Sequence, residues 1–165
     1  MPGALYLRRA VVAEVEFWEL AARESIRDLV ARYNANGDAG RFAQVVELFA
    51  PDASMELVDG AGEVRRYEGH EAIATIFIGT KDRWDSSATA ASTGRPHHVR
   101  HFVATHQIDI EDRTHASGRS YFAVLMTHGL DHWGRYLDRY EVRDGRWLFV
   151  QRRALSDGHV EPFGD

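Results

Sequence analysis

Apolar positions in the first third of the chain recur at helical spacing. Ile26, Leu29, Val30 and Tyr33 stand at i, i+3, i+4 and i+7, with Arg23, Glu24, Arg27, Asp28 and Arg32 on the opposite side. That stripe predicts an amphipathic helix beginning near Ala13. Asn34-Ala35-Asn36-Gly37 is expected to end it, because asparagine and glycine accept left-handed geometry. A second short helix is expected from about Arg41 to Phe49, with Phe42, Val45, Val46 and Phe49 inward and Pro51 as its stop. The period then shortens to two. Ala53 to Val58 and Glu63 to Tyr67 read as a hairpin turned by Asp59-Gly60-Ala61-Gly62, and Gly69 to about Phe77 as a third helix. Lys81 to Gly94 is polar, contains Trp84, and is read as a loop suited to a lid.

The second half alternates. Pro96 opposes a helix at its own start, since the residue before a proline is pushed to extended geometry. From Val99 to Ile110 a strand would set Val99, His101, Val103 and Thr105 on one face. Arg100, Phe102, Ala104, His106, Ile108 and Ile110 would take the other. His101 is read as pointing into a pocket. Ser117 to Met126, Arg135 to Arg143 and Trp147 to Arg153 are three further strands, the last two joined by the tight-turn pair Asp144-Gly145. No repeat or linker interrupts the pattern, so residues 1–165 are read as one domain with a loose arm, 1–12, and a frayed tail, 156–165. Helices first and antiparallel strands after argue for an α+β fold, its helices on one face of a curved sheet. Such a cone encloses a natural small-molecule site.

Composition narrows the chemistry. A length of 165 residues and an apolar fraction of 44% suit one soluble domain with a real core. A net charge of -5 gives no footprint for nucleic acid, and no run approaches a membrane span. The absence of cysteine excludes disulfides, thiolate metal sites and a cysteine nucleophile, and suits a cytoplasmic location. His97 and His101 would lie about 13 Å apart along a strand, too far for one metal ion. His106, His128 and His132 leave that question to the fold. The arginines near the C-terminus, Arg152 and Arg153 among them, are expected on a solvated or interface face.

Three segments carry a resemblance. Glu24 to Tyr33, then Asp38, then Val46 to Ala53 resembles the opening of SnoaL-like proteins of the NTF2-like superfamily. Gly69 to Ile73 resembles the third helix of that family, His98 to Ile110 its central strand and Tyr136 to Arg153 its final hairpin. The resemblance implies the NTF2-like α+β cone. The nearest likeness is to the branch holding scytalone dehydratase, hexachlorocyclohexane dehydrochlorinase and bile acid 7α-dehydratase. Members of that branch pair an aspartate after the first helix with a histidine on the central strand. Asp38 and His101 stand at those positions, and Tyr33 resembles a tyrosine used by some of its dehydratases. The family often has asparagine four residues after the histidine; here Thr105 stands there.

Carried over, the resemblance implies a lyase without cofactor. His101 would be the general base and Asp38 its orienter, eliminating water or halide from a small apolar cyclic substrate. Tyr33, Ser120, Tyr121, His128 and Tyr136 are the candidates to assist the leaving group, and Thr105, Val103 and Trp84 to line the pocket. The same fold also hosts non-catalytic binders and structural subunits such as dioxygenase β-chains, so both alternatives stand beside the lyase. A homodimer or higher homo-oligomer is expected.

Overall fold

A computed structural model describes residues 15–85 and 99–160, the side chains of 80–85 excepted. Among the described residues are three helices: α1 (Phe17–Asp38) and α3 (Gly69–Asp85) pack against one sheet, and α2 (Phe42–Val46) packs against those two helices. Its strands are β1 (Phe49–Val58), β2 (Val64–Glu68), β3 (Arg100–Ile110), β4 (His115–Met126), β5 (Gly129–Arg143) and β6 (Arg146–His159). They lie in the order β2-β1-β6-β5-β4-β3, antiparallel throughout except for the parallel pair β1 and β6. The expected α+β architecture is therefore present, as helices on a curved, open sheet. Among the described residues no helix is long and apolar enough to cross a membrane.

Several boundaries differ from the expectation, each for a local reason. Helix α1 runs through Asn34-Ala35-Asn36-Gly37 and ends at Asp38. Asn34 stays helical because its side-chain amide donates to the Val30 carbonyl, and the left-handed residue is Gly40 at φ 69°. Gly40 N–H then bonds Gly37 O and Arg41 N–H bonds Asn36 O, the two hydrogen bonds of a Schellman stop. Helix α2 ends at Val46, and Phe49 opens β1 instead of closing a helix. Pro51 sits inside β1, where the β1–β6 register is interrupted and no ladder N–H is required. Lys81 to Asp85 extend α3, so that part of the expected lid is helical. Strand β6 runs on to His159, past the expected start of the frayed tail. The arm 1–12, the remainder of the lid and residues 161–165 lie outside the described residues.

The core sits between α1 and the sheet. Ile26, Leu29, Val30 and Tyr33 of α1 are buried with Phe49, Met55, Ile73, Phe77, Tyr140 and Phe149. The Tyr33 ring meets Phe49, Phe77, Tyr136 and Phe149 edge-on at 5.8–6.2 Å. Arg23 fastens the helix to the sheet, donating to Ile108 O at 2.5 Å while Glu19 holds its guanidinium at 2.6 Å. Bulges in β3, β5 and β6 break the register and bend the sheet.

Candidate active site

Asp38 is the last residue of α1, and the Schellman stop turns the chain away immediately behind it. Its carboxylate reaches β3 and accepts twice from one residue. His101 donates its backbone N–H to Oδ2 at 2.9 Å, and its ring Nδ1 lies 2.6 Å from Oδ1. The carboxylate can only accept, so Nδ1 carries a proton, and in the neutral ring Nε2 keeps the lone pair. Both side chains are mostly buried, at 11% and 24% exposure for Asp38 and His101. In its neutral form the ring is thus an oriented imidazole able to take a proton.

The pair opens on a cleft of about 580 Å³ between the end of α1 and β3. Asn34, Asp38, Arg41, Arg100, His101 and Val103 line it. The centre of the cone is not a hollow. Tyr136 stacks on Phe122 at 4.6 Å, and Tyr33, Phe149 and Tyr136 surround a fully buried arginine, Arg152. The Asp38–His101 contact is made at the rim, where the cleft opens, and aromatic rings pack the interior.

The other expected site residues separate into groups. Val103 lines the cleft. Ser120 and Tyr136 face inward and are buried, and Ser120 Oγ finds no partner there. Tyr33 is buried with its hydroxyl 4.0 Å from Met55 Sδ, and no hydrogen bond joins it to Asp38 or His101. Burial raises the Tyr33 phenol above its ordinary value, with the Arg152 cation opposing less strongly, so it stays protonated. Thr105 and Tyr121 are corrections. Thr105 occupies the β3 bulge at φ 52° and is exposed; Tyr121 is 46% exposed on the outer face. The bulge adds one residue, so His106, Ile108 and Ile110 join His101 on the inner face instead of opposing it. His128 is exposed on the β4–β5 turn, 3.2 Å from Asp131. The side chain of Trp84, like His97 and His98, lies outside the described residues. Among the described residues no three His, Asp or Glu side chains converge as a metal site.

One feature was placed wrongly by the sequence pattern. Arg152 is not on a solvated face: it is 0% exposed and grips Asp138 through two hydrogen bonds of 2.8 Å. Burial opposes its charge, but the Asp138 carboxylate holds it protonated. Tyr140 donates to the same carboxylate at 2.9 Å. The available signal was Asp138 between Tyr136 and Tyr140 on one strand face, which called for a buried cation opposite.

Comparison with known proteins follows the same lines. The profile of the SnoaL-like domain family matches residues 18–153. No curated protein matches the chain. Among solved structures, the hexachlorocyclohexane dehydrochlorinase LinA-type3 from Novosphingobium barchaimii LL02 aligns with TM-score 0.69 and 18% identity, over 90% of this chain and 94% of that one. A provisionally assigned scytalone dehydratase from Novosphingobium aromaticivorans aligns with TM-score 0.66 and 20% identity, over 90% and 97%. The β subunit of a provisionally assigned aromatic-ring-hydroxylating dioxygenase from the same species aligns with TM-score 0.68 and 17% identity, over 84% and 91%.

Proposed function

The chain belongs to the SnoaL-like domain family, and from that premise we propose that it is a lyase of the dehydratase type. It eliminates water or halide from a small apolar cyclic substrate bound in the cleft. His101 Nε2 takes a proton from carbon, and Asp38 fixes the tautomer and stabilises the imidazolium that forms. The step asks for side chains alone, without a cofactor. The observation that carries the reading is the bidentate grip of Asp38 on His101, through ring and backbone together. A turn-capping aspartate would be satisfied by its own loop; this one spans 63 residues to orient an imidazole. Neighbours of the fold that are dehydratases and dehydrochlorinases support the same class.

The test is turnover on a panel of hydroxylated and halogenated cyclic compounds. His101→Gln is expected to abolish elimination. Asp38→Asn is expected to lower kcat about 10²–10⁴-fold, because the amide no longer enforces the tautomer. Wild-type turnover in His101→Gln would end the base assignment.

A second reading is favoured by one observation. Phe102, Tyr121, Leu125, Leu130 and Trp133 expose apolar surface on the outer face of the sheet, and a dioxygenase β subunit shares the fold. A structural subunit would use that face and leave the cleft idle. Co-purification of a larger partner with an inactive cleft would favour it. Under either reading the chain works in the cytoplasm as a homodimer or higher homo-oligomer.

A further inference from the structure

The cleft that holds His101 carries positive charge in excess. Its lining includes two guanidiniums, Arg41 and Arg100, and one carboxylate, Asp38. Both oxygens of Asp38 are taken by His101. Many of the fold's other guanidiniums meet acids: Arg32 meets Asp28, Arg66 and Arg153 share Glu56, and Arg152 grips Asp138. Among the described residues Arg41 and Arg100 meet none, and their hydrogen bonds go to uncharged oxygens. The chain has a net charge of -5, so a positive cleft is a local arrangement and not a general bias.

Arg41 is the better placed of the two. Arg100 stands on the exposed row of β3 and donates Nη1 to Val99 O at 2.6 Å. Arg41 comes just past the left-handed Gly40, on the far side of the stop from Asp38. Its side chain folds back over the helix end, where Nε donates to Asn36 Oδ1 at 2.8 Å and Nη2 to Ala35 O at 3.4 Å. Capping the helix explains those bonds. It leaves both Nη1 hydrogens and one on Nη2 without an acceptor among the described residues. Nη1 and Nη2 form the planar fork that takes a carboxylate through two parallel hydrogen bonds. Asn34, in the same lining, has the opposite preference. It is 7% exposed, gives its amide to Val30 O, and keeps Oδ1 without a partner among the described residues. That oxygen repels an anion, which leaves Arg41 as its place.

We propose that the substrate of this cleft carries a carboxylate, and that Arg41 receives it. The inference rests on the lyase reading and deepens it: the small cyclic substrate, apolar elsewhere, has one anionic end. The cleft, at about 580 Å³, has room for a six-membered ring and a carboxylate together. Arg41 is a binding and specificity residue in this account. Its hold on a non-reacting end fixes the ring so that a C–H bond faces His101 Nε2.

The experiment titrates the chain at low salt with cyclohexanecarboxylate and with its neutral isostere, cyclohexanecarboxamide. Heat gives the affinities, and side-chain nitrogen resonances of Arg41 and His101 give the place. The carboxylate is expected to bind about tenfold tighter, the lower end for a charge-assisted pair, because Arg41 is exposed. Arg41 and His101 should both shift. Arg41→Gln should bring the two affinities together, and Arg41→Lys should keep part of the preference, retaining the charge without the fork. Equal affinities in the wild type, no binding of the carboxylate, or a preference that survives Arg41→Gln overturns the inference. So does a shift at Arg41 without one at His101, because Arg41 also borders a second cleft between α1, α2 and the β5–β6 turn, and the anion would then lie there. Should Arg41→Gln fail to fold, the wild type decides alone. Shifts at both residues with the carboxylate and none at Arg41 with the carboxamide sustain the inference, and any other pattern overturns it. The lyase reading is judged separately, by turnover in His101→Gln. Full turnover there ends that reading and leaves Arg41 as the anion site of a binding cleft, whereas equal affinities beside an inactive His101→Gln end the inference alone.

Discussion

Asp38 occupies the end of a helix that the macrodipole makes unfavourable for an anion. It is retained there by two charge-assisted hydrogen bonds from His101, which offset the dipole and tie the helix end to β3. A different histidine on the same strand reports on stability. Burial lowers the His106 imidazole below its ordinary value of 6.5, and the Asp138 charge opposes this less strongly. The unfolded chain therefore takes up that proton at a higher pH than the folded one. The stability contributed by neutral His106 is complete above the unfolded value and is lost as pH falls below it. We expect the urea midpoint to drop between about pH 7 and pH 5, and His106→Gln to flatten that slope. An unchanged slope in the variant would assign the pH dependence to other groups.

At the scale of elements, β5 and β6 carry the most demanding contact. Asp138 and Arg152 are paired through two hydrogen bonds and enclosed by Tyr33, Tyr136 and Phe149 at 4.1–4.2 Å from the guanidinium. Removing one member leaves a buried charge uncompensated. Arg152→Met is expected to cost about 3–5 kcal/mol in a urea melt. Pairing it with Asp138→Leu should recover most of the loss, and a double variant no better than the single one would contradict this account. The same strands show what a sequence can and cannot reveal. Asp144-Gly145 was legible as a tight turn, and both residues adopt positive φ, at 51° and 74°. Counting back from that turn without a break would pair Asp138 with Gln151. The bulge between Arg139 and Tyr140 shifts the partner to Arg152. Likewise the face of His101 was legible up to Val103, and the bulge at Thr105 then inverted the rest of β3. Periodicity exposes the elements and Asp38–His101 through the family pattern. It does not expose bulges, because an inserted residue changes no local propensity and is set by long-range packing.

For the molecule as a whole, the inner face of the sheet is satisfied by helices and aromatic rings, and the outer face is not. Phe102 pairs across to Ala123 and Ala123 to Trp133, one apolar row; Leu125 opposite Leu130 makes the next. Phe102 is 58% exposed and Trp133 38%. Isolated apolar side chains on a surface need no explanation, but rows on adjacent strands form a contiguous patch. A stable interface covers roughly 800 Å² per partner around such an apolar centre, with a polar rim. Arg100, Arg119 and Arg135 border this patch as that rim. Self-association through this face would therefore bury what the fold leaves uncovered, while the cleft at the end of α1 stays open on the opposite side of β3. We expect the wild-type chain to run as a dimer or larger assembly in light scattering, and Phe102→Lys with Trp133→Lys to yield a monomer that melts normally. An assembly of unchanged mass in the double variant would move the interface elsewhere, and a monomeric wild type would end the proposal of a homo-oligomer.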